Sequence, residues 1–230
     1  MTSSVWLNAD FSLRVVINSE TKPWVPSPQP GVERRMLDRI GDEKARATSI
    51  VRYAPAASFP AHEHPGGEEI LVLSGTFAEG STLHSAGTYL RNPPGSAHQP
   101  GSPAGCIIFV KLWQMNPADR ATVCVNTRDA TRWHHLIDRA VCPLYEGFGE
   151  RVQVLRLQPG ALLLPEGNDA GAELLVLQGS LLEAGHTLPQ GAWLRLPPGD
   201  GLGVEAGPEG AELYLKAGHL RELIDLPPAR

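Results

Sequence analysis

A skeleton of glycines, prolines and short apolar runs that recurs with a fixed shift of 104 residues constrains this chain more than any other feature. Arg52, Pro55, Glu69, Leu71-Val72-Leu73, Gly75, Gly87, Leu90-Arg91 and Pro93-Pro94-Gly95 return, without a gap, as Arg156, Pro159, Glu173, Leu175-Val176-Leu177, Gly179, Gly191, Leu194-Arg195 and Pro197-Pro198-Gly199. After one inserted residue, Val110-Lys111 returns as Leu215-Lys216. Glycine and proline set backbone geometry more than chemistry, so the register predicts the same turns twice. Between the turns lie apolar runs too short for buried helices, such as 70–73, 106–110, 152–155 and 174–177. Short runs bounded by turn residues predict an all-β chain of sandwich or barrel type. The expected organisation is two copies of one β-rich module, residues 1–118 and 119–230, joined through the polar stretch Trp113–Arg120.

The remaining segments are less regular. The alternating run Ser12–Ile17 predicts a leading strand. Lys22–Gly31 holds four prolines and predicts an extended segment anchored by Trp24. Val32–Ile40 suits a short helix or a strand, and the following turn and run Thr48–Tyr53 favour a hairpin. A net charge of −5 without a basic block argues against a nucleic-acid groove. No apolar run is long enough for a bilayer and residues 1–10 do not have the pattern of a secretory leader, so a cytoplasmic location is expected. Cys106, Cys124 and Cys142 are widely spaced and predict free thiols rather than disulfides or a thiolate metal site.

The two copies differ where the chemistry lies. His62 and His64 are two apart, which on a strand places both imidazoles on one face, and Glu68 and His98 join them if the second segment folds back alongside. Under the repeat these four become Glu166, Asn168, Ala172 and Leu202. Turns retained around lost imidazoles suggest that His62, His64, Glu68 and His98 serve a metal rather than folding. Such a mixed set suits one divalent ion, Zn, Fe, Mn or Ni. Glu63 and Glu69 should face away from the site, and Glu69, kept as Glu173, is expected to be structural. Arg91 and Lys111, kept as Arg195 and Lys216, suit an ion pair or a surface position. Phe59, Phe77, Tyr89 and Phe109 are expected as core or as walls near the site. His84, His134, His135, His186 and His219 fall outside the pattern and are expected to be exposed or idle.

These residues resemble the cupin superfamily, a double-stranded β-helix (jelly-roll) barrel of RmlC-like type. Its pattern is read here as His62, His64, Glu68 and Gly75, then Gly87, Pro93, Gly95 and His98, with Ala56 where the opening glycine is usual and Ser102 where many members have asparagine. Residues 62–77 and 87–98 further resemble the cupin domain of the ChrR anti-sigma factors, closely over residues 45–115. That resemblance implies zinc at His62, His64, Glu68 and His98 in the first of two tandem barrels, the second being degenerate. In the ChrR family a separate zinc domain with a His-x3-Cys-x2-Cys motif binds the sigma factor. The first 45 residues here contain neither His nor Cys, so sigma binding does not transfer with the cupin.

The expected function is therefore a metal-binding, zinc-favouring bicupin with a regulatory or stress-sensing role. Its partner would be a regulatory protein or a small ligand in the barrel, with no nucleic acid or membrane, and the chain would be a pseudo-dimeric monomer or a homodimer. The alternative is a non-haem, metal-dependent dioxygenase acting on a small organic substrate. A sugar- or small-ligand-binding barrel without redox chemistry is a third reading.

Overall fold

A computed structural model describes residues 6–42, 44–164 and 166–221. Over these the chain is all-β, with two three-residue 3-10 turns, Ser19–Thr21 and Ala130–Arg132, as its helical elements. No helix among the described residues is long and apolar enough to cross a membrane. The chain divides into two compact units, one of residues 6–9 and 22–128 and one of residues 10–21 and 129–221 among those described.

In the first unit the long strands Val32–Gly41, Ala45–Tyr53, Cys106–Leu112, Glu68–Glu79 and Thr88–Asn92 pair antiparallel in that order. The hairpin expected at residues 32–53 is present, with Val32 opposite Tyr53. A separate two-stranded ribbon pairs His62–His64 with Ser96–His98, placing His62 opposite His98. The apolar core joins Val51, Tyr53, Ile70, Val72, Phe77, Leu90, Ile108 and Val110.

The second unit repeats the order with Arg139–Gly147, Glu150–Leu157, Glu205–Ala217, Ala172–Glu183 and Ala192–Leu196. Thr88–Asn92 and its counterpart Ala192–Leu196 are each extended by one more strand. Val123–Asn126 pairs with the former and Val15–Asn18 with the latter. The leading strand expected near residues 12–17 thus belongs to the second unit although it precedes the first in sequence.

The repeated turns are the same turns. Gly75 and Gly179 both have φ of 73°, and a Cβ on either would come within 2.1 Å or 2.2 Å of a carbonyl oxygen, Gly105 or Gly210. Ala56, standing where glycine is usual, adopts φ of 62°, close to the 73° of its counterpart Gly160. It therefore holds a left-handed backbone that costs an L-residue about 1–2 kcal/mol.

The repeated charges are buried rather than superficial. Glu69 lies 3.2 Å from Arg91 and accepts a 2.8 Å hydrogen bond from the Tyr89 hydroxyl. Arg91 also pairs with Asp119 at 2.7 Å, and Lys111 donates to Thr48 at 3.0 Å. In the second unit Lys216 pairs with Glu150 at 3.0 Å, and Arg195 sits 4.1 Å from the ring of Phe11. Isolated charges would be costly to bury; paired and hydrogen-bonded ones are tolerated, which accounts for their recurrence without chemistry.

Trp24 anchors its proline-rich segment as expected, its ring lying 4.2 Å from the guanidinium of Arg35 and 4.4 Å from that of Arg52. Tyr89 and Phe109 alternate with the core residues Leu90, Ile108 and Val110 and so face the other side of the sheet, away from the candidate site. Cys106, Cys124 and Cys142 are free thiols.

Candidate metal centre

The ribbon brings three of the four proposed ligands together directly. His62 and His64 alternate onto one face of their strand, His98 lies opposite His62, and the three side chains offer ring nitrogens all within 4.8 Å of one another. His64 Nε2 faces His98 Nε2 at 2.9 Å. Glu68 enters from the start of the neighbouring long strand, its Oε2 3.4 Å from His64 Nε2 and 3.3 Å from His98 Nε2. It stands beside two of the histidines, and the tight cluster of mutually close donors consists of the three imidazoles.

Two of the rings have their tautomer set from outside. His62 Nδ1 lies 2.9 Å from the carbonyl of Pro60, which can only accept, so Nδ1 carries the hydrogen and the lone pair of Nε2 is left to face a metal. His98 Nδ1 donates to Glu79 Oε1 at 2.6 Å, leaving Nε2 towards His64 and Glu68. Asn92 steadies both carboxylates, donating to Glu79 at 2.8 Å and more weakly to Glu68 at 3.5 Å. A carboxylate behind a ligating imidazole fixes its orientation and raises its basicity.

The electrostatics are those of a site built for a cation. Burial, then the charges of His98 and His62, pushes His64 down to about 3, so a proton is a poor occupant there. Burial lifts Glu68 to about 7, helped by Glu79 and opposed by His98 and Asn92. His98 is held above its ordinary value: burial alone would lower it, but the hydrogen bond it donates to Glu79 and the charges of Glu68 and Glu79 prevail. Burial likewise acts to raise Glu79, and its bonds to His98 and Asn92 overcome that and hold it below the usual carboxylate range. Three converging ring nitrogens, that of His64 held unprotonated, beside two carboxylates fit a divalent metal.

Glu79 has no forerunner in the sequence argument because it stands eleven residues beyond Glu68 on one strand, an odd separation that predicts opposite faces. The ladder to Cys106–Leu112 slips at this point: Ile108 pairs with Val72 and Ile107 with Ser74, leaving Leu73 as the extra residue of a bulge. The bulge reverses the alternation, so Phe77 joins Ile70 and Val72 in the core and Glu79 reaches His98.

His84 corrects the expectation of an idle or exposed side chain. It is buried, with Nε2 3.2 Å from Glu79 Oε2, on the far side of the carboxylate that holds His98. His219 is likewise buried, 3.4 Å from Glu173, because the repeated interior carboxylate of the second unit draws a polar partner inward. His134, His135 and His186 are exposed as expected.

A cavity of about 680 Å³ opens on the site in the first unit, lined by His62, His64 and Glu68 and by the apolar walls Val32, Val51, Tyr53, Phe59, Ile108 and Val110. His98 lines a separate cavity of about 360 Å³ together with Glu79 and Asn92. At the corresponding places of the second unit the chemistry is gone. Glu166 and Leu202 are exposed, Ala172 is buried, and Asn168 has become a loop brace that donates to the carbonyls of Leu196, Pro197 and Asp200 at 3.3, 3.0 and 3.2 Å. Leu155, Leu157, Leu174, Leu196 and Leu215 fill its core.

Comparisons with known proteins agree with the fold. Residues 12–116 match the family model described as the ChrR cupin-like domain. No curated protein matches the chain in sequence. Among solved structures, a candidate dioxygenase from Nostoc punctiforme superposes with a TM-score of 0.69 at 12% identity, covering 95% of this chain and 87% of that one. A cupin 2 conserved barrel domain protein from Leptotrichia buccalis gives 0.57 at 15% identity, covering 88% and 95%. A bacterial pirin from Escherichia coli in complex with nickel(II) gives 0.62 at 11% identity, covering 89% and 98%. At these identities the structures speak for the fold alone. Residues 12–116 are thus similar to the ChrR cupin-like domain, and the chain as a whole has the fold of these cupin-type structures.

Proposed function

We propose that the first unit is a single-metal cupin centre that admits a small organic molecule, and that the chain acts as a metal-dependent enzyme of the cupin oxygenase class. The observation that carries this reading is the apolar cavity of about 680 Å³ running to His62, His64 and Glu68. A metal with a purely structural role needs no such access, whereas small-molecule chemistry requires an enclosed, mostly apolar site with a few convergent polar groups. His62, His64 and His98 would hold the ion, with Glu68 as the fourth protein ligand or as a carboxylate beside it. A divalent ion there would supply Lewis acidity and, as iron, manganese or nickel, redox capacity. Glu79 and the Pro60 carbonyl keep the imidazole donors aimed, and the apolar walls exclude water from the reacting face.

The second reading is a zinc-bound, ChrR-like regulatory or stress-sensing protein. Glu68 favours it, since an oxygen 3.3–3.4 Å from two ligating nitrogens suits a fourth donor in a closed tetrahedral set. Metal analysis of protein purified without added metal, with a count of exchangeable positions on the ion, tests the choice. Iron, manganese or nickel with open positions supports the enzyme. Zinc saturated by protein ligands refutes it.

A further inference from the structure

One polar group in the apolar wall of the cavity beside the candidate metal centre is not used by the centre itself. Tyr53 ends the strand Ala45–Tyr53, two residues beyond Val51, so both side chains turn to the inner face and both line the cavity with His62, His64 and Glu68. Its ring packs edge-on to Phe59 and to Phe77, each at 5.9 Å between centroids. Phe59 in turn lies 5.9 Å from the ring of His62, and Phe77 6.4 Å from that of His98. Tyr53 is thus one aromatic ring away from two of the three histidines.

The side chain is 6% exposed, yet no group among the described residues hydrogen-bonds its hydroxyl. Tyr89, buried on the other side of the sheet, instead donates to Glu69 at 2.8 Å. A buried phenol hydroxyl ordinarily finds a partner, and one that faces a cavity takes it from whatever the cavity holds. The repeat removes the group together with the metal ligands. Under the shift of 104, Tyr53, Phe59 and Phe77 become Leu157, Leu163 and Leu181, all buried in the core of the second unit. The scaffold therefore needs apolar volume at these three places, and needs neither the rings nor the hydroxyl to fold.

We propose that Tyr53 is a ligand-binding residue of the metal centre, its hydroxyl donating to a carbonyl oxygen of an otherwise apolar molecule packed against Phe59 and Tyr53. The proposal rests on the small-molecule reading of the centre and names the class of ligand. A phenol keeps its proton at neutral pH and donates, and a carbonyl accepts without bringing a further donor that the aliphatic walls, Val51, Ile108 and Val110, would leave unsatisfied.

The probes are acetophenone and α-methylstyrene, its planar isostere with a methylene in place of the carbonyl oxygen. Both are titrated by ligand-observed NMR into the zinc-loaded full-length protein and into its Tyr53→Phe and Phe59→Leu variants, with zinc measured on every sample. The ratio of ketone to alkene affinity should fall about 3- to 10-fold in Tyr53→Phe, the span of one neutral hydrogen bond, without loss of thermal stability in the absence of probe. Phe59→Leu should weaken both probes and leave the ratio as in the parent. A parent that retains no zinc defeats the underlying reading and the proposal with it. Retained zinc with no binding of either probe overturns the proposal alone. So does a ratio unchanged in Tyr53→Phe, which would mean that the metal itself takes the oxygen, or one that falls equally in Phe59→Leu, which would mean that packing sets it. A Tyr53→Phe protein less stable than the parent without probe would give the hydroxyl a structural partner and overturn the proposal as well.

Discussion

Replacing Glu79 tests whether the groups behind the imidazoles tune the centre or merely fill space. In the parent, Glu79 accepts from His98 Nδ1 at 2.6 Å and from Asn92 at 2.8 Å, with His84 3.2 Å from its other oxygen. Glu79→Gln keeps an oxygen acceptor and the shape but removes the negative charge. Glu79→Leu removes the acceptor as well, freeing His98 to rotate or to present the wrong tautomer. Losing a carboxylate behind a ligating histidine costs metal affinity about 10- to 100-fold, which is about 1.4–2.8 kcal/mol at 1.4 kcal/mol per tenfold. Glu79→Gln is expected near the lower figure and Glu79→Leu near the upper. The assay is competition for zinc and for ferrous iron against a chromophoric chelator, with thermal unfolding of the metal-free protein as the control for general damage. Affinity unchanged in both variants would refute the argument. So would a drop in metal-free stability that accounts for the whole effect, since Glu79 would then be only a buried brace.

Three further outcomes are expected. His98→Ala should no longer bind one equivalent of metal tightly, whereas His186→Ala, altering an exposed histidine of the second unit, should bind as the parent does; elemental analysis after dialysis checks both. Gly160→Ala, at φ of 73° with no atom near the added Cβ, should lower stability by about 1–2 kcal/mol through backbone strain alone, while Ala56→Gly at the matching turn should leave stability unchanged or raised in urea unfolding. Metal affinity should fall as pH drops below about 7. Burial first, and Glu79 second, raise Glu68 to that value in the folded, metal-free protein, so ligation there must displace a proton, and calorimetry in two buffers of different ionisation heat should find more protons released at pH 6 than at pH 8.

Much of the site was legible because it is local. His62 and His64 share a strand face by simple alternation, and the turn residues Pro93-Pro94-Gly95 end Thr88–Asn92 and start Ser96–His98, the strand that pairs His98 with His62. Glu79 and His84 were not legible. Their approach depends on the bulge at Leu73, and a one-residue slip in a ladder inverts every later side chain without leaving a mark in composition. Tyr89 and Phe109 are buried, as expected of core residues, and strand phase places them on the face away from the candidate site.

By itself the amino-acid sequence determined the repeated β scaffold and the first copy as the one that keeps the histidine set, because glycines with left-handed φ, prolines and closely spaced imidazoles act over a few residues. Only the tertiary structure decided that Val15–Asn18 completes the sheet of the second unit, that Glu79 stands behind His98, and that Tyr53 lines the cavity reaching the histidines. Those outcomes depend on which strands pair and in what register, and pairing energy is spread over residues far apart in the chain.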